Sequence, residues 1–389
     1  MLANNYMFPT SVKEVSALGW DYIDVILFCG DAFIDHPSFG AAVIARILQR
    51  EGWRVAVVPQ PNWRDDLRDF RKLGGPRLFF AVTSGAMDSM VNHYTANKRL
   101  RSDDAYTPEG RAGYRPDYAV RTYCGIIRKL YPDVPLVIGG IEASLRRFTH
   151  YDYWSDSLFP SILTESGADV LIYGMGERSV IETARRISAG LPLDDIPQTA
   201  VLLSENNASD AILLHSYEEC LSSKRSFAEN FDIIEREANR MSPSTLVEPS
   251  GELFVKVNPP YPPATEEEMD SFWNLPYTRM PHPRYRGKRI PAFDMIKNSI
   301  NIHRGCFGGC SFCTIAAHQG RFIQNRSEES ILKEVETLVA HPEFHGVISD
   351  VGAPTANMYG MHGKNLKTCS VCKKPSCIHP KVCPNLNTD

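Results

Sequence analysis

The chain has 389 residues, of which 43% are hydrophobic and 23% are charged, and its formal net charge at pH 7 is −4. These values are ordinary for a globular protein with two or three domains. The negative balance argues against a nucleic-acid footprint spread over the surface and leaves a local basic groove open. The first twelve residues lack the pattern of a signal peptide, and no apolar run reaches the roughly 18 residues of a membrane span. We therefore expect a cytoplasmic protein without membrane or nucleic-acid partners.

Short apolar runs alternate with amphipathic stretches through the first half of the chain. The candidate buried strands are residues 24–29, 54–59, 78–83, 134–138 and 168–173. Helical patterns lie between several of them, which is typical of β–α–β units and a parallel sheet. We predict a doubly wound α/β domain over residues 1–195, whose ligand crevice lies at the carboxyl ends of about five parallel strands.

Residues 196–290 break this rhythm, and we interpret them as an irregular bridging segment. Within this segment, the runs 245–247 and 253–257 predict a hairpin because turn residues separate them. The proline-rich stretch 258–263 predicts stiff extended chain, and 266–272 predicts a helix.

Residues 291–389 form the third predicted segment. Residues 299–302 read as a strand that leads into a cysteine-rich loop, and Ser327 reads as the N-cap of a helix that runs to about residue 340. Residues 344–350 read as a second strand. A loop after the first strand of a (β/α) barrel is where catalytic groups belong, so we predict the start of such a barrel.

Three cysteines in this loop, Cys306, Cys310 and Cys313, have the spacing C-x3-C-x2-C. Thiolates ligate iron–sulfur clusters, and a cubane normally takes four of them. Three clustered thiolates therefore leave one iron open, and an open metal position is where chemistry occurs. The alternatives are a structural zinc site, with His303 or His318 as a fourth ligand, and free thiols in a packed loop.

A second cysteine set lies in the tail of the chain. Its four members are Cys369, Cys372, Cys377 and Cys383. Four thiols over fifteen residues make a complete tetrathiolate set, which is typical of zinc or of an iron–sulfur cluster. The residues leave both metals open, and coincidental free thiols are the remaining alternative.

The three-cysteine loop resembles the radical S-adenosylmethionine (SAM) superfamily, and further motifs narrow the resemblance to its YgiQ-like (UPF0313) family. The matching stretches are Asp35-His-Pro-Ser-Phe-Gly40, Gly139-Gly-Ile-Glu-Ala-Ser144, His303-Arg-Gly-Cys306-Phe-Gly-Gly-Cys310 and Pro354-Thr-Ala-Asn-Met-Tyr359. The resemblance implies a [4Fe-4S] cluster on the three cysteines, with SAM on the open iron. It further implies a flavodoxin- or ferredoxin-type electron donor and a 5′-deoxyadenosyl radical that abstracts hydrogen from an unidentified substrate.

The same resemblance implies where SAM binds. Phe312 matches the aromatic position beside the adenine. Gly352, Ala353 and Pro354 occupy the position of a glycine-rich motif that hydrogen-bonds the SAM amino group, although the usual second glycine is missing.

The resemblance also implies that the N-terminal domain looks like a cobalamin-binding fold. Cobalt-ligating domains use D-x-H-x-x-G, whereas here Asp35 directly precedes His36 and Gly40 falls four residues later. We therefore favour a cofactor-free scaffold over cobalamin binding. The alternatives to a plain radical SAM enzyme are a cobalamin-dependent radical SAM methyltransferase and a non-catalytic zinc-binding scaffold.

The predicted barrel is incomplete. A (β/α) barrel needs on the order of 200 residues, and residues 299–389 supply fewer than half of them. We expect a C-terminally truncated chain that holds only the N-terminal part of a radical SAM barrel and is inactive by itself.

Overall fold

The computed structural model of the chain describes residues 7–206, 208 and 210–388. Its strands, in chain order, are β1 (Val25–Cys29), β2 (Ile34–Asp35), β3 (Val55–Pro59), β4 (Phe79–Thr83), β5 (Leu136–Gly139), β6 (His150–Asp152), β7 (Ser157–Phe159), β8 (Val170–Ile172), β9 (Thr199–Leu203), β10 (Ile212–Leu213), β11 (Leu246–Ser250), β12 (Leu253–Val257), β13 (Met280–Pro281), β14 (Ser299–Asn301), β15 (His303–Arg304), β16 (Gln324–Asn325), β17 (Asp350–Gly352), β18 (His362–Gly363) and β19 (Leu386–Asn387).

Its α-helices are α1 (Val12–Ala17), α2 (Gly40–Arg50), α3 (Arg68–Arg71), α4 (Ser89–His93), α5 (Ala119–Leu130), α6 (Ile141–Leu145), α7 (Ile162–Ser166), α8 (Glu177–Ala189), α9 (Tyr217–Ser222), α10 (Lys224–Ala238), α11 (Glu266–Trp273), α12 (Pro291–Ile296), α13 (Ile315–Gln319), α14 (Glu328–Val339) and α15 (Leu366–Ser370). Among the residues in the described ranges, no helix is both long and apolar enough to cross a lipid bilayer.

A nine-stranded mixed sheet dominates the fold, in the order β10-β11-β12-β9-β8-β5-β4-β1-β3. The five strands β3, β1, β4, β5 and β8 are mutually parallel, as the sequence predicted. Alternate residues of β1 enter two separate cores: Val25 and Leu27 one of them, Ile26 and Phe28 the other. Because successive side chains of a strand point to opposite faces, both faces of this sheet are covered, and the apolar runs are continuous rather than alternating.

The sheet continues past residue 195. Strand β9 pairs antiparallel with β8, β12 with β9, and β11 with β12, while β10 pairs parallel with β11. The predicted hairpin is confirmed as β11–β12, and the predicted helix as α11. Much of the segment that we interpreted as an irregular bridge therefore consists of strands and helices. Val255 and Val257 of β12 are buried in the second core, and this burial stabilises the added strands. The domain boundaries at 195 and 290 stay predictions.

Strands β14 and β17 form a separate parallel pair, and helix α14 connects them. Ser299 lies opposite Asp350, and Asn301 opposite Gly352. The predicted N-cap of α14 is confirmed, since the side chain of Ser327 accepts a hydrogen bond from the backbone N–H of Ser330. This β–α–β unit is what the start of a barrel requires, and the barrel itself stays a prediction.

The predicted strand at 344–350 is wrong in position, because β17 begins only at Asp350. Phe344 and Ile348, whose apolar character suggested a strand, instead pack against the small core of Ile300, Ile302 and Leu338. These side chains are hydrophobic because they pack on the parallel strand pair, and they do not belong to either strand.

Candidate metal centre

The two candidate site segments leave neighbouring strand ends. The cysteine loop follows β14 and β15, and residues 352–354 follow β17. The backbone N–H of Ile302 donates to the carbonyl of Gly352 at 2.8 Å. Because carboxyl ends of parallel strands meet at one edge, the structure brings the three-cysteine loop and the Gly352-Ala353-Pro354 segment together there.

Gly308 keeps a gap open between two of the three thiols. A Cβ atom added to it would lie 3.4 Å from Sγ of Cys306 and 3.7 Å from Sγ of Cys310. The N–H of Cys313 donates to the carbonyl of Cys310 at 3.1 Å, which turns the chain back after the second cysteine. Cys310 is exposed, whereas Cys306 and Cys313 are half-buried. The loop supplies three thiols where a cubane normally takes four, so its donor chemistry fits a cluster with one iron left open. In the described part of the chain these three side chains are not gathered closely enough to hold a single metal ion.

The two histidines considered as zinc ligands make other contacts. His303 is buried, and burial lowers its pKa. Its Nε2 accepts from the N–H of Met358 at 3.3 Å, while its buried Nδ1 has no hydrogen-bond partner among the described residues. His318 Nδ1 lies 3.1 Å from Oγ of Ser144 in the N-terminal half of the chain. The contact of His303 with Met358, together with a hydrogen bond from Tyr359 Oη to the carbonyl of Arg326 at 2.8 Å, fixes the loop that follows residues 352–354.

The predicted SAM-contacting residues differ in their exposure. Phe312 is 88% exposed, and Pro354 is exposed, while Ala353 is half-buried and Gly352 is buried. Phe312 thus presents a free aromatic face next to Cys313. Gly352 instead lies at the end of β17, where its carbonyl accepts the hydrogen bond from Ile302.

The cysteine-rich tail packs directly on the three-cysteine loop. Ser376 Oγ donates to the carbonyl of Gly308 at 2.8 Å, and the N–H of Cys377 donates to the carbonyl of Phe307 at 3.2 Å. Gly309 has φ +67°, and a Cβ there would lie only 2.7 Å from the carbonyl oxygen of Pro375. The sequence did not predict this contact, because nothing around Gly309 identifies Pro375 as its neighbour.

The four tail thiols share one neighbourhood. Burial raises the pKa of Cys377, and its neighbours Cys383, Cys372 and Cys369 raise it further. Cys369 is affected in the same way by Cys372 and Cys383, and its Sγ accepts from Asn385 Nδ2 at 3.3 Å. Despite this proximity, no three His, Cys, Asp or Glu side chains in the described part of the chain are gathered closely enough to hold a single metal ion.

The segment after the cysteines also closes the carboxyl edge of the large sheet. Ser144, whose Oγ lies near His318, accepts from the N–H of Gly174 just beyond β8 at 2.9 Å. Arg304, directly before the cysteine loop, forms a buried ion pair with Glu177 at the start of α8. The crevice predicted at the parallel strands' ends is therefore roofed by residues adjoining the candidate metal loop.

His36 lies before α2, and its buried Nε2 has no hydrogen-bond partner among the described residues. It is completely buried, its Nδ1 accepts from the N–H of Ser38 at 3.1 Å, and its ring lies edge-on to Phe39. Burial and the charge of Arg279 lower its pKa well below the ordinary value. It behaves as a turn residue ahead of α2.

Comparison with known proteins places the chain among related sequences. The profile of the family described as "Radical SAM N-terminal" matches residues 7–299. UPF0313 proteins of Bacteroides thetaiotaomicron and Porphyromonas gingivalis are 59% and 60% identical to it, each over 98% of this chain. A UPF0313 protein of Rhodopseudomonas palustris is 48% identical. The chain spans 64%, 61% and 60% of the lengths of these three relatives.

Among solved structures, a radical S-adenosylmethionine methyltransferase, TsrM, from Kitasatospora setae is similar in backbone. The form with cobalamin and a [4Fe-4S] cluster bound aligns over 86% of this chain and 48% of its own, with a TM-score of 0.48 and 18% identity. The form with tryptophan and a SAM analogue gives a TM-score of 0.46 at the same identity.

Proposed function

Because this chain belongs to the radical SAM N-terminal family, a membership that its motifs predicted, we propose that Cys306, Cys310 and Cys313 bind a [4Fe-4S] cluster with SAM at the open iron. The observation that carries this proposal is the gap that Gly308 leaves between two of the thiols, at the carboxyl ends of β14 and β17. Since the chain spans about three-fifths of its relatives' length, radical chemistry on a substrate is proposed for the whole protein.

The residues around the loop have distinct roles in this proposal. Phe312 stacks beside the adenine with its free face, and the backbone of residues 352–354 binds the amino group of SAM. The tail covers Phe307 and Gly308 and excludes water from that side, while the exposed Cys310 leaves the other side open. When bound, the cluster would supply the chemistry that cleaves SAM reductively into methionine and a 5′-deoxyadenosyl radical. The electron would come from a flavodoxin- or ferredoxin-type donor.

The test is anaerobic reconstitution of the chain and of a Cys310→Ala variant, followed by iron and sulfide analysis and visible absorption with and without SAM. We expect the unaltered chain to gain a cluster whose spectrum changes on SAM addition, and the variant to lose both. Cys220→Ala is the control, since that buried thiol lies outside both cysteine sets. A Cys310→Ala protein that retains a SAM-responsive cluster would exclude this residue as a ligand.

Cys369, Cys372, Cys377 and Cys383 bind a second metal centre in this proposal, supported by their common neighbourhood. Their chemistry suits zinc and an iron–sulfur cluster equally. The double substitution Cys369→Ala with Cys377→Ala should lower the metal content by the amount that one centre holds. The element that is lost identifies the metal of this centre. Zinc at both cysteine sets, without sulfide, would instead favour the non-catalytic scaffold.

A further inference from the structure

A cavity of about 150 Å³ lies between the large sheet and the segment that follows the cysteines. One wall comes from residues 173–175, directly after β8, and another from residues 258–263, directly after β12. The end of α10 and residues 316–322 complete the lining. The cavity therefore occupies the carboxyl edge of the doubly wound sheet, which is where such folds bind ligands.

Arginines dominate the charged side chains of this cavity. All but one of the lining arginines pair with a carboxylate: Arg178 with Glu268, Arg240 with Glu237, Arg304 with Glu177, and Arg321 with Glu235. Among the described residues, Arg147 makes no direct ion pair, although the carboxylate of Glu235, which pairs with Arg321, acts on it electrostatically. His318, which also lines the cavity, has a pKa lowered to about 4 by burial, so it adds no charge at neutral pH. Arg147 is thus the lining arginine that has no carboxylate in direct contact among the described residues.

The guanidinium of Arg147 is held in place but not satisfied. One of its terminal nitrogens donates to the carbonyl of Ser144, and its plane lies over the rings of Tyr173 and Phe148, at 4.8 and 5.3 Å from their centroids. Its Nε is buried and has no hydrogen-bond partner. Burial lowers its pKa, and the nearby Tyr173 and Glu235 only partly oppose that effect. Arg147 as a whole is half-buried. Its guanidinium is only partly satisfied, and an oxyanion is the group that would complete its hydrogen bonds.

We propose that this cavity binds the phosphate or carboxylate group of a small organic anion, with Arg147 as the residue that pairs with it. A guanidinium matches the planar, two-oxygen face of either group. Tyr173 and Tyr261 in the lining supply apolar surface for the remainder of the molecule. The site is built from this chain's own residues and does not depend on a cluster being bound.

The proposal is tested by calorimetric titration of the 389-residue chain with inorganic phosphate and pyrophosphate, and with acetate and citrate as the carboxylate arm. We expect millimolar or tighter binding of at least one of these probes and a loss of about tenfold or more in Arg147→Gln, as for removal of a charged hydrogen bond. Arg225→Gln is the matched control. It removes the same charge from an exposed position on α10, and its affinity should be unchanged.

Arg147→Lys separates charge from geometry, and it should bind more weakly than the unaltered chain but better than Arg147→Gln. Should Arg147→Gln fail to fold by circular dichroism, protection of Arg147 from phenylglyoxal by pyrophosphate, mapped by mass spectrometry, gives the same answer on the unaltered chain. Binding of phosphates alone or of carboxylates alone identifies the class of anion. The absence of binding by all four probes, unaltered affinity in Arg147→Gln, or the absence of protection would overturn the proposal.

Discussion

At the scale of single residues, adjacent glycines of the cysteine loop have different reasons to be glycine. Gly308 has ordinary backbone geometry, and a methyl group there would only touch Sγ of Cys306 and Cys310. We therefore expect Gly308→Ala to leave the melting temperature of the metal-free chain unchanged or slightly raised. The methyl group would fill the gap between the thiols, so iron and sulfide content after anaerobic reconstitution should fall by more than half.

Gly309→Ala is the matched comparison. Its positive φ costs an alanine about 1–2 kcal/mol, and the added Cβ would meet the carbonyl oxygen of Pro375 at 2.7 Å. This variant should melt lower and release the tail. If Gly308→Ala incorporates as much iron as the unaltered chain, the gap is not needed for the cluster.

Glu248 predicts a pH dependence of stability. It is buried on β11 and accepts from the N–H and Oγ1 of Thr149, both at 2.9 Å, yet burial raises its pKa to about 7. Since the folded state binds this proton more tightly than the unfolded state, the group's stabilising effect is present below about pH 4.5. It is lost as the pH rises to about 7.

Glu248→Gln should remove this dependence, because the amide mimics the protonated acid. Urea unfolding should show equal stability near pH 4.5 and an advantage for the variant at pH 8 on the order of 3 kcal/mol. Glu252→Gln, an exposed position in the same hairpin turn, should show no such difference. Parallel pH profiles for Glu248→Gln and the unaltered chain would contradict the assignment.

At the scale of secondary-structure elements, several strands and helices could be predicted from local sequence patterns. The five parallel strands, the β11–β12 hairpin, α11 and the Ser327-capped α14 all have periodicities or caps that can be read in short windows of sequence. The strand predicted at residues 344–350 was wrong because Phe344 and Ile348 are apolar in order to pack on the strand pair. A short window of sequence does not distinguish such packing residues from the residues of a buried strand. The contact between tail and cysteine loop joins residues more than sixty positions apart, and no local pattern records it.

The docking of the tail as an element depends on Ser376. Its buried hydroxyl donates to the carbonyl of Gly308 and accepts from the N–H groups of Ile378 and His379, both at 3.1 Å. Ser376→Ala removes these bonds and should cost about 1–3 kcal/mol locally. We expect faster amide hydrogen exchange in residues 376–379 and in the cysteine loop.

Ser370→Ala is the control for this prediction. Ser370 is exposed and donates only to the carbonyl of Lys367 among the hydrogen bonds described. Its removal should leave exchange in the cysteine loop unchanged. Equal exchange in the Ser376→Ala and Ser370→Ala variants would show that the tail does not brace the loop.

At the scale of the whole molecule, the large sheet and the segment 299–388 are joined by polar contacts at a few positions. Arg304 pairs with Glu177, Arg321 with Glu235, and His318 contacts Ser144. Arg304, His318 and Arg321 all lie within twenty residues of Cys306, so the candidate metal loop is one of the places where the two parts of the chain meet. A pairing across more than eighty residues leaves no trace in composition or spacing, which is why the sequence did not predict these contacts.

The Arg304–Glu177 pair should decide whether these parts unfold together. Its side chains are 5% and 3% exposed, and removing one partner of a buried pair typically costs 3–5 kcal/mol because the other charge remains buried. Glu177→Gln should therefore split a single urea transition into two and speed hydrogen exchange at Gly305. Replacing both residues, Glu177→Leu with Arg304→Met, should recover part of the loss, since no unpaired charge remains. Glu51→Gln, which breaks the partly exposed pairs with Arg185 and Arg50, should cost less than about 1 kcal/mol. A single transition in Glu177→Gln at unchanged midpoint would show that packing, and not this ion pair, couples the sheet to the metal loop.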